Sequence, residues 1–287
     1  MKLLLGIKAR NNFLKGLKHD IASLKKKHII PTLAIILNNS NYASKVYIRN
    51  KENLCKELGI KTKLYKLPSL TTNKQMLALI NKLNKDKKIN GLFVQLPTGN
   101  KINDDEVINS ICPCKDVDCF HNFNVGKIWT TKQSTNSIIK PCTAAGIIEL
   151  LKFYKIPLVG KNVTIINRSN IIGKPLATLL LQENATPTIC HTKTKNIKDI
   201  CKRSDIVVTA IGKANFFDQS YFKKDAVIID VGINRGKDNK VCGDVNIKSF
   251  KNFKGAISPV PGGVGPMTVL MLINNLVILT KRQHGGK

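Results

Sequence analysis

Hydrophobic and polar positions along this 287-residue chain follow two alternating periods. From residue 7 to 27 apolar side chains recur at helical spacing. The next run, PTLAIIL (31–37), is almost uninterruptedly apolar, as in a strand buried on both faces. A second helical stretch, 43–58, stops at Gly59, a residue that accepts the left-handed conformation in which many helices end. IKTKLYKL (60–67) alternates with period two, 76–83 is again helical, and GLFVQL (91–96) reads as a buried strand closed by Pro97. Strands and helices in this alternation predict a parallel sheet with crossover helices.

The pattern restarts near residue 146. Helix 146–154 leads to strand 163–166, helix 171–183 and strand 186–190, with further strands at 206–211 and 226–233. That order is the one a dinucleotide-binding unit uses, with ligands at the carboxyl ends of its strands. The chain therefore reads as a two-domain α/β protein. Its N-terminal α/β domain covers 1–145 and its Rossmann-like domain 146–266. The apolar C-terminal helix, 267–287, is expected to pack back on the first domain.

A formal net charge of +29 raises the question of a nucleic-acid partner. The basic residues are mostly lysine and spread along the whole chain, and no segment interleaves Arg with aromatics as a stacking surface would. Lys, Asn and Ile all have A/T-rich codons, so base composition accounts for much of the excess. No specific nucleic-acid partner is expected; a basic nucleic-acid-binding relic stands as the alternative from another class. No apolar run approaches the eighteen or so residues of a membrane span. The opening MKLLLGIKAR is too short a signal segment, so a cytoplasmic location is expected.

The eight cysteines contain no C-x-x-C pair. Cys112, Cys114, Cys119 and His121 cluster in CPCKDVDCFH, but their spacing is uncommon for structural zinc. Reduced loop thiols and no metal are expected.

Four segments carry candidate chemistry. In ASKVYIRNK, Tyr47 and Lys51 stand four residues apart and share a helix face. Gln95 of VQLP sits at the carboxyl end of an apolar strand, where parallel sheets place ligands. Asp116 and Asp118 lie in a loop with few hydrophobics to bury. SPVPGGVGPMT joins Pro259, Pro261 and Pro266 to Gly262, Gly263 and Gly265, offering fixed bends and close backbone approach to a flat ring.

Together with PCT, RSNIIGKP, HTKT, VIIDVGIN and GDV, these segments strongly resemble the bifunctional methylenetetrahydrofolate dehydrogenase/cyclohydrolase family. Nine anchors in the right order span nearly the whole chain. The resemblance implies NADP-dependent oxidation of 5,10-methylenetetrahydrofolate, then hydrolysis to 10-formyltetrahydrofolate, at a folate site in the interdomain cleft. A chain of the same fold that retains only the cyclohydrolase is the alternative. By resemblance Lys51 is the central residue of cyclohydrolysis, Gln95 its uncharged neighbour, Tyr47 a stacking platform and Asp118 the acceptor for pterin N–H groups. Leu96, Pro97, Pro259, Pro261, Gly262 and Gly263 complete the implied substrate contacts. The resemblance also implies tetrahydrofolates as ligands, with or without a polyglutamate tail, and a homodimer built through the nucleotide-binding domains.

Cofactor choice is partly legible in the residues. An NAD-binding unit usually carries Asp or Glu about twenty residues past its glycine turn. Counting from Asn167 reaches TICHTKTK, which has Thr192, Lys193 and Lys195 but no carboxylate. Arg168 and Ser169 occupy the turn, and such groups pair with a 2′-phosphate. The implied NADP contacts are Asn167, Arg168, Ser169, Thr192, Gly232 and Ile233.

The chain departs from the family at several loops. Asn167 and Cys119 stand where glycine is usual, LPLP becomes LPTGN, PCTP becomes PCTAA, and LNNSNYAS lacks the usual glycine and Asp-Pro. Asn at 167 is expected to tolerate a positive φ there while crowding the pyrophosphate.

Overall fold

Two parallel sheets organise the protein, each in its own compact unit. The computed structural model describes residues 1–38, 42–99, 101–132, 137–236 and 240–285, with backbone alone for 42–47. In chain order the elements are β1 (Lys2–Leu3), α1 (Gly6–Lys26), β2 (Thr32–Leu37), α2 (Tyr42–Leu58), β3 (Lys61–Lys66), α3 (Asn73–Lys85) and β4 (Gly91–Val94). Next come α4 (Asp104–Ser110), α5 (Asn122–Thr130), α6 (Cys142–Phe153), β5 (Asn162–Ile166), α7 (Gly173–Gln182), β6 (Thr186–Cys190) and α8 (Ile197–Lys202). The last are β7 (Ile206–Thr209), β8 (Val227–Asp230), β9 (Asn234–Arg235), β10 (Val241–Cys242), β11 (Ala256–Ser258) and α9 (Val264–Gln283).

One unit comprises Phe13–Thr130, Thr135–Lys140 and Val269–Lys287. Its sheet is parallel, in the order β3-β2-β4. Every residue of β2 and β4 is buried, which explains why both are uninterrupted apolar runs. Ile36, Val94, Met76 and Ile80 share one core cluster, against which Leu96 packs.

The other unit comprises Met1–Asn12, Thr131–Ser134 and Pro141–Thr268. Its parallel sheet runs β1-β11-β8-β7-β5-β6, and β9 and β10 form a separate antiparallel pair. The boundary expected at 145/146 thus falls at Pro141, and the N-terminus belongs with the second sheet rather than the first. The physical reason is strand pairing: Lys2 and Leu3 register with Ala256 and Ile257 at the sheet edge.

Three further expectations differ from the structure. The C-terminal helix starts at Val264, not 267, because Gly265 and Pro266 lie in its first turn, where the missing proline N–H is harmless. That helix is long and apolar enough to cross a membrane by length and composition. Here its Leu270, Ile273, Leu276 and Val277 are buried. Finally, Cys112 and Cys114 are joined in a disulfide instead of standing as reduced thiols. The turn around Pro113 brings their Cα atoms to 5.2 Å, within the span a disulfide bridges.

Candidate active site

Strand β4 organises the first group of candidate residues. Lys51, on α2, is only 5% exposed, and its Nζ lies 3.3 Å from the centroid of the Phe93 ring. Lysines are almost never this buried without a use for the amine, and the face of an aromatic ring holds an ammonium in place. Two residues on, the Gln95 N–H continues the ladder by donating to Ile36 at 2.9 Å. Its Nε2 donates to the Leu96 carbonyl at 2.8 Å, while its Oε1 is buried with no hydrogen-bond partner. An unpaired buried acceptor at a strand end is an invitation to a donor. The Leu96–Pro97 bond is cis, and the following Thr98 carbonyl accepts from Asn38 Nδ2 at 2.8 Å. Tyr47 lies one helical turn before Lys51 on α2, but its side chain is outside the described residues.

The KDVD segment runs beside β4 from a bridge between Leu92 and Asp116. Its four residues divide their work. Lys115 Nζ donates to the carbonyls of Leu83, Asn84 and Asp86 at the end of α3, at 3.0, 2.7 and 2.8 Å. Burial pulls its pKa below the usual lysine value. The Asp116 carboxylate is buried and accepts from the N–H groups of Phe120 and His121 and from Asn124 Nδ2. Burial pushes its pKa up, against those hydrogen bonds. Val117 is core. Asp118, the last of the four, is half-buried. Cys119 follows at φ +60°, so its position does require the left-handed conformation glycine supplies freely. Its buried thiol donates to the Ile139 carbonyl at 3.4 Å, and burial holds its pKa well above the ordinary thiol value.

In the other unit, the turn between β5 and α7 is closed by Asn167. Its Oδ1 accepts from Ser169 N–H at 2.8 Å, Ser169 Oγ at 2.7 Å and Gly173 N–H at 3.1 Å. Its Nδ2 donates to the Ala210 carbonyl at 2.6 Å, beyond β7. The backbone partners fix which end of the carboxamide is oxygen. Asn167 has no positive φ, contrary to expectation, and its side chain is folded into the turn. Gly173 is required by close approach, since a Cβ there would lie 2.1 Å from the Asn167 carbonyl oxygen.

The first N–H groups of α7 are consequently all accounted for. Gly173 donates to Asn167, Lys174 to the Ser169 carbonyl at 3.1 Å, Pro175 has none, and Leu176 bonds to Ile172. Ile172 N–H, just before, donates to Ser169 Oγ at 3.1 Å. Arg168 is exposed beside this closed turn. Adjacent β6 ends at Cys190, opposite Ile166, and Thr192, Lys193 and Lys195 follow it, all exposed.

Two buried carboxylates that the residue pattern did not single out shape the ends of β7 and β8. Asp230 accepts from Gly232, Asp244 and Val245 N–H groups at 3.0, 3.1 and 2.9 Å and from Thr209 Oγ1 at 3.2 Å. Asp244 accepts from Ile211, Gly212 and Lys213 N–H groups and from Asn234 Nδ2. The glycines of VGIN and GDV exist for this clasp. A Cβ on Gly232 would lie 2.3 Å from the Asp244 carboxylate, and one on Gly243 1.9 Å from that of Asp230. Ile233, between the two, is half exposed at the surface. An Asp closing an apolar strand, AVIID, was the available signal, since buried carboxylates need donors.

The glycine-rich loop lies in the same unit as this clasp. Pro259 is half-buried, Pro261 is exposed and follows a cis bond, and Gly262 has φ +102°. Gly263 is packed against the Pro259 carbonyl, where a Cβ would come to 2.6 Å. Gly6 N–H donates to Gly262 at 2.8 Å, tying the N-terminus to the loop. Lys51, Gln95, Leu96, Pro97 and Asp118 therefore belong to one unit, and the loop and the dinucleotide-type turn to the other.

Comparison with known proteins gives this geometry its context. Residues 4–118 match the model of the tetrahydrofolate dehydrogenase/cyclohydrolase catalytic domain, and residues 141–284 that of its NAD(P)-binding domain. The bifunctional protein FolD of Acetivibrio thermocellus is 46% identical over 98% of both chains. That of Caldicellulosiruptor saccharolyticus is 49% identical over 93% of this chain and 96% of its own. The crystal structure of the Campylobacter jejuni bifunctional FolD superposes with a TM-score of 0.93 at 41% identity, covering 98% of this chain and 99% of that one. The Trypanosoma brucei FolD, solved with NADP and an inhibitor, gives 0.90 at 32% identity, over 98% and 97% of the two chains. With both domain models matched in order and near-half identity over the full length, this chain belongs to the tetrahydrofolate dehydrogenase/cyclohydrolase family.

Proposed function

We propose that this chain is a bifunctional enzyme that oxidises 5,10-methylenetetrahydrofolate with NADP and then hydrolyses the methenyl product to 10-formyltetrahydrofolate. The observation that carries the reading is Lys51, a buried amine held 3.3 Å from the Phe93 ring centroid within a family-matched domain.

The residues fit an NADP cofactor. Gly173 permits the tight turn, Arg168 is free of the turn's internal bonding at its surface, and cationic Lys193 and Lys195 follow β6 where an NAD-type site would carry a carboxylate. When bound, the cofactor supplies the hydride acceptor. The chain's own part in that step is positional. Asp230 and Asp244 fix the backbone around Gly232 and Ile233 that meets the nicotinamide end, and no acid–base dyad is needed because a folate nitrogen lone pair expels the hydride.

In the second step a water oxygen bonds to the cationic methenyl carbon. One proton leaves the adduct, and the bond from that carbon to the ring nitrogen breaks, the nitrogen keeping the electron pair and taking a proton. Lys51 carries these protons. Gln95 is its neutral neighbour, with an unpaired Oε1 ready to accept an N–H. Asp118 accepts the pterin's amino and ring N–H groups, and Tyr47, Leu96 and Pro97 hold the ring system.

We also propose a cytoplasmic homodimer that takes polyglutamylated folates and no specific nucleic acid. Support for the dimer comes from β6, a sheet edge whose residues are mostly exposed, Ile189 among them. Unpaired edges call for cover. Sedimentation at micromolar concentration tests it. The activity is tested with purified protein, methylenetetrahydrofolate and either NADP+ or NAD+, alongside direct hydrolysis of methenyltetrahydrofolate. Reduction of NADP+ in preference to NAD+ is expected; no reduced cofactor from either would sink the dehydrogenase half.

A further inference from the structure

The Ser169 hydroxyl has one proton, and Asn167 already takes it. Ser169 Oγ lies 2.7 Å from Asn167 Oδ1, which accepts backbone N–H groups as well and has no proton to give. In that bond the serine is the donor. One of its lone pairs is used too, by the Ile172 N–H at 3.1 Å. What the hydroxyl still offers is a lone pair, which a phosphate dianion repels. Asn167 cannot readily turn away, because its Nδ2 is anchored on Ala210 at 2.6 Å and its Oδ1 caps Gly173 at the start of α7.

We propose that Asn167 is a specificity-determining residue: by holding the Ser169 proton inside the turn, it removes Ser169 from 2′-phosphate recognition and leaves Arg168 to select NADP over NAD. The inference rests on the NADP reading above. With glycine at position 167 the hydroxyl would have no carboxamide to serve and its proton could go to the phosphate. The chain has thus exchanged part of its cofactor discrimination for a turn that is closed before ligand arrives. Any transfer of the proton to a phosphate breaks one hydrogen bond to make another, so the net gain is small.

The test is direct binding. Dissociation constants for NADP+ and NAD+ are measured by calorimetry, without substrate, for the wild type, Ser169→Ala, Asn167→Gly and the double variant. The ratio of the two constants is the readout, because damage to the turn itself weakens both dinucleotides alike. In the wild-type background Ser169→Ala should move the ratio by less than about twofold. Asn167→Gly should raise the preference for NADP+ by about five- to tenfold, and adding Ser169→Ala should remove that gain. Asn167→Ala serves as the second variant, since it also lacks the carboxamide, if glycine prevents folding. A tenfold loss of preference in Ser169→Ala alone overturns the proposal, as does an unchanged ratio in the Asn167 variants. A wild type that binds NAD+ but not NADP+ would instead overturn the cofactor reading on which the proposal stands.

Discussion

Asn275, inside the apolar helix α9, donates its side-chain amide to the carbonyls of Val117 and Lys140, each at 2.8 Å. Its Oδ1 accepts the Lys140 N–H at 3.3 Å. Val117 is the residue before Asp118, so the C-terminal helix fixes the backbone that carries the carboxylate proposed to bind the pterin. Asn275→Leu keeps the volume but leaves those backbone groups without this partner. A destabilisation of about 2–4 kcal/mol is expected. Hydrolysis should fall more than the loss of folded protein explains. Urea unfolding and methenyl hydrolysis on the same samples check this, and an unshifted midpoint would refute it.

Lys51 and Phe93 should act as a pair. Lys51→Met removes the proposed proton carrier and should lower hydrolytic kcat by about 10²–10⁴-fold while leaving part of the hydride transfer. Phe93→Leu keeps an apolar strand residue but takes away the ring beneath Nζ, worth about 1–2 kcal/mol to a desolvated ammonium. About a tenfold loss of hydrolysis is therefore expected, with the dehydrogenase reaction less affected. Hydrolysis is followed by the decay of methenyl absorbance. Intact hydrolysis in Lys51→Met would mean the role belongs elsewhere.

The legible parts of the fold were those whose signal is periodic. β2 and β4 announce themselves as apolar runs because both faces are covered, and α2 ends where Gly59 takes φ +67°. Short elements were not read, since α4 and α8 are too brief for a hydrophobic stripe to repeat. α4 still carried a local mark: Asn103 caps it by accepting from Asp105 and Glu106 N–H groups. Strand β1 was invisible because two residues of edge pairing have no period at all. At the candidate site, motif order singled out Lys51, Gln95 and Asp118, which the structure carries in one compact unit. It could not tell that Asp230 and Asp244 bind loops together, nor that Asn167 turns inward, because hydrogen-bond partners distant in sequence decide both.

Cys119 provides a test of backbone conformation separate from side-chain chemistry. At φ +60° any residue with a Cβ is strained, and the cost of the left-handed region is about 1–2 kcal/mol. Ordinarily glycine is less stable than alanine by about 0.5–1 kcal/mol, through the freedom it regains on unfolding. Here the order should reverse. Both Cys119→Ala and Cys119→Gly lose the buried sulfur, but the glycine variant sheds the strain and should be the more stable of the two by about 1 kcal/mol. Guanidinium unfolding of the two variants decides it, and an alanine variant of equal or greater stability would contradict the conformational argument.

The Asp230 clasp makes stability depend on pH in a stated direction. Burial is the chief reason that the Asp230 pKa is raised to about 6; its backbone hydrogen bonds pull the other way, and neighbouring Asp244 pushes it up further. A carboxyl whose folded pKa exceeds its unfolded value, about 3.9, favours the folded state when protonated. That contribution is complete below about pH 4 and is lost as pH rises through about 6. Across this window the folded state should lose about 3 kcal/mol from this group, since each tenfold change in acid strength is worth about 1.4 kcal/mol. Asp230→Asn cannot titrate there. Its absolute stability will be lower, because an amide places N–H groups against the N–H groups of Asp244 and Val245. Its pH slope is the informative quantity. Urea unfolding of both proteins between pH 4 and 7.5 should give a stability difference, wild type minus variant, that shrinks as pH rises. A difference that stays level or grows would mean that the hydrogen bonds to the Asp230 carboxylate outweigh its burial.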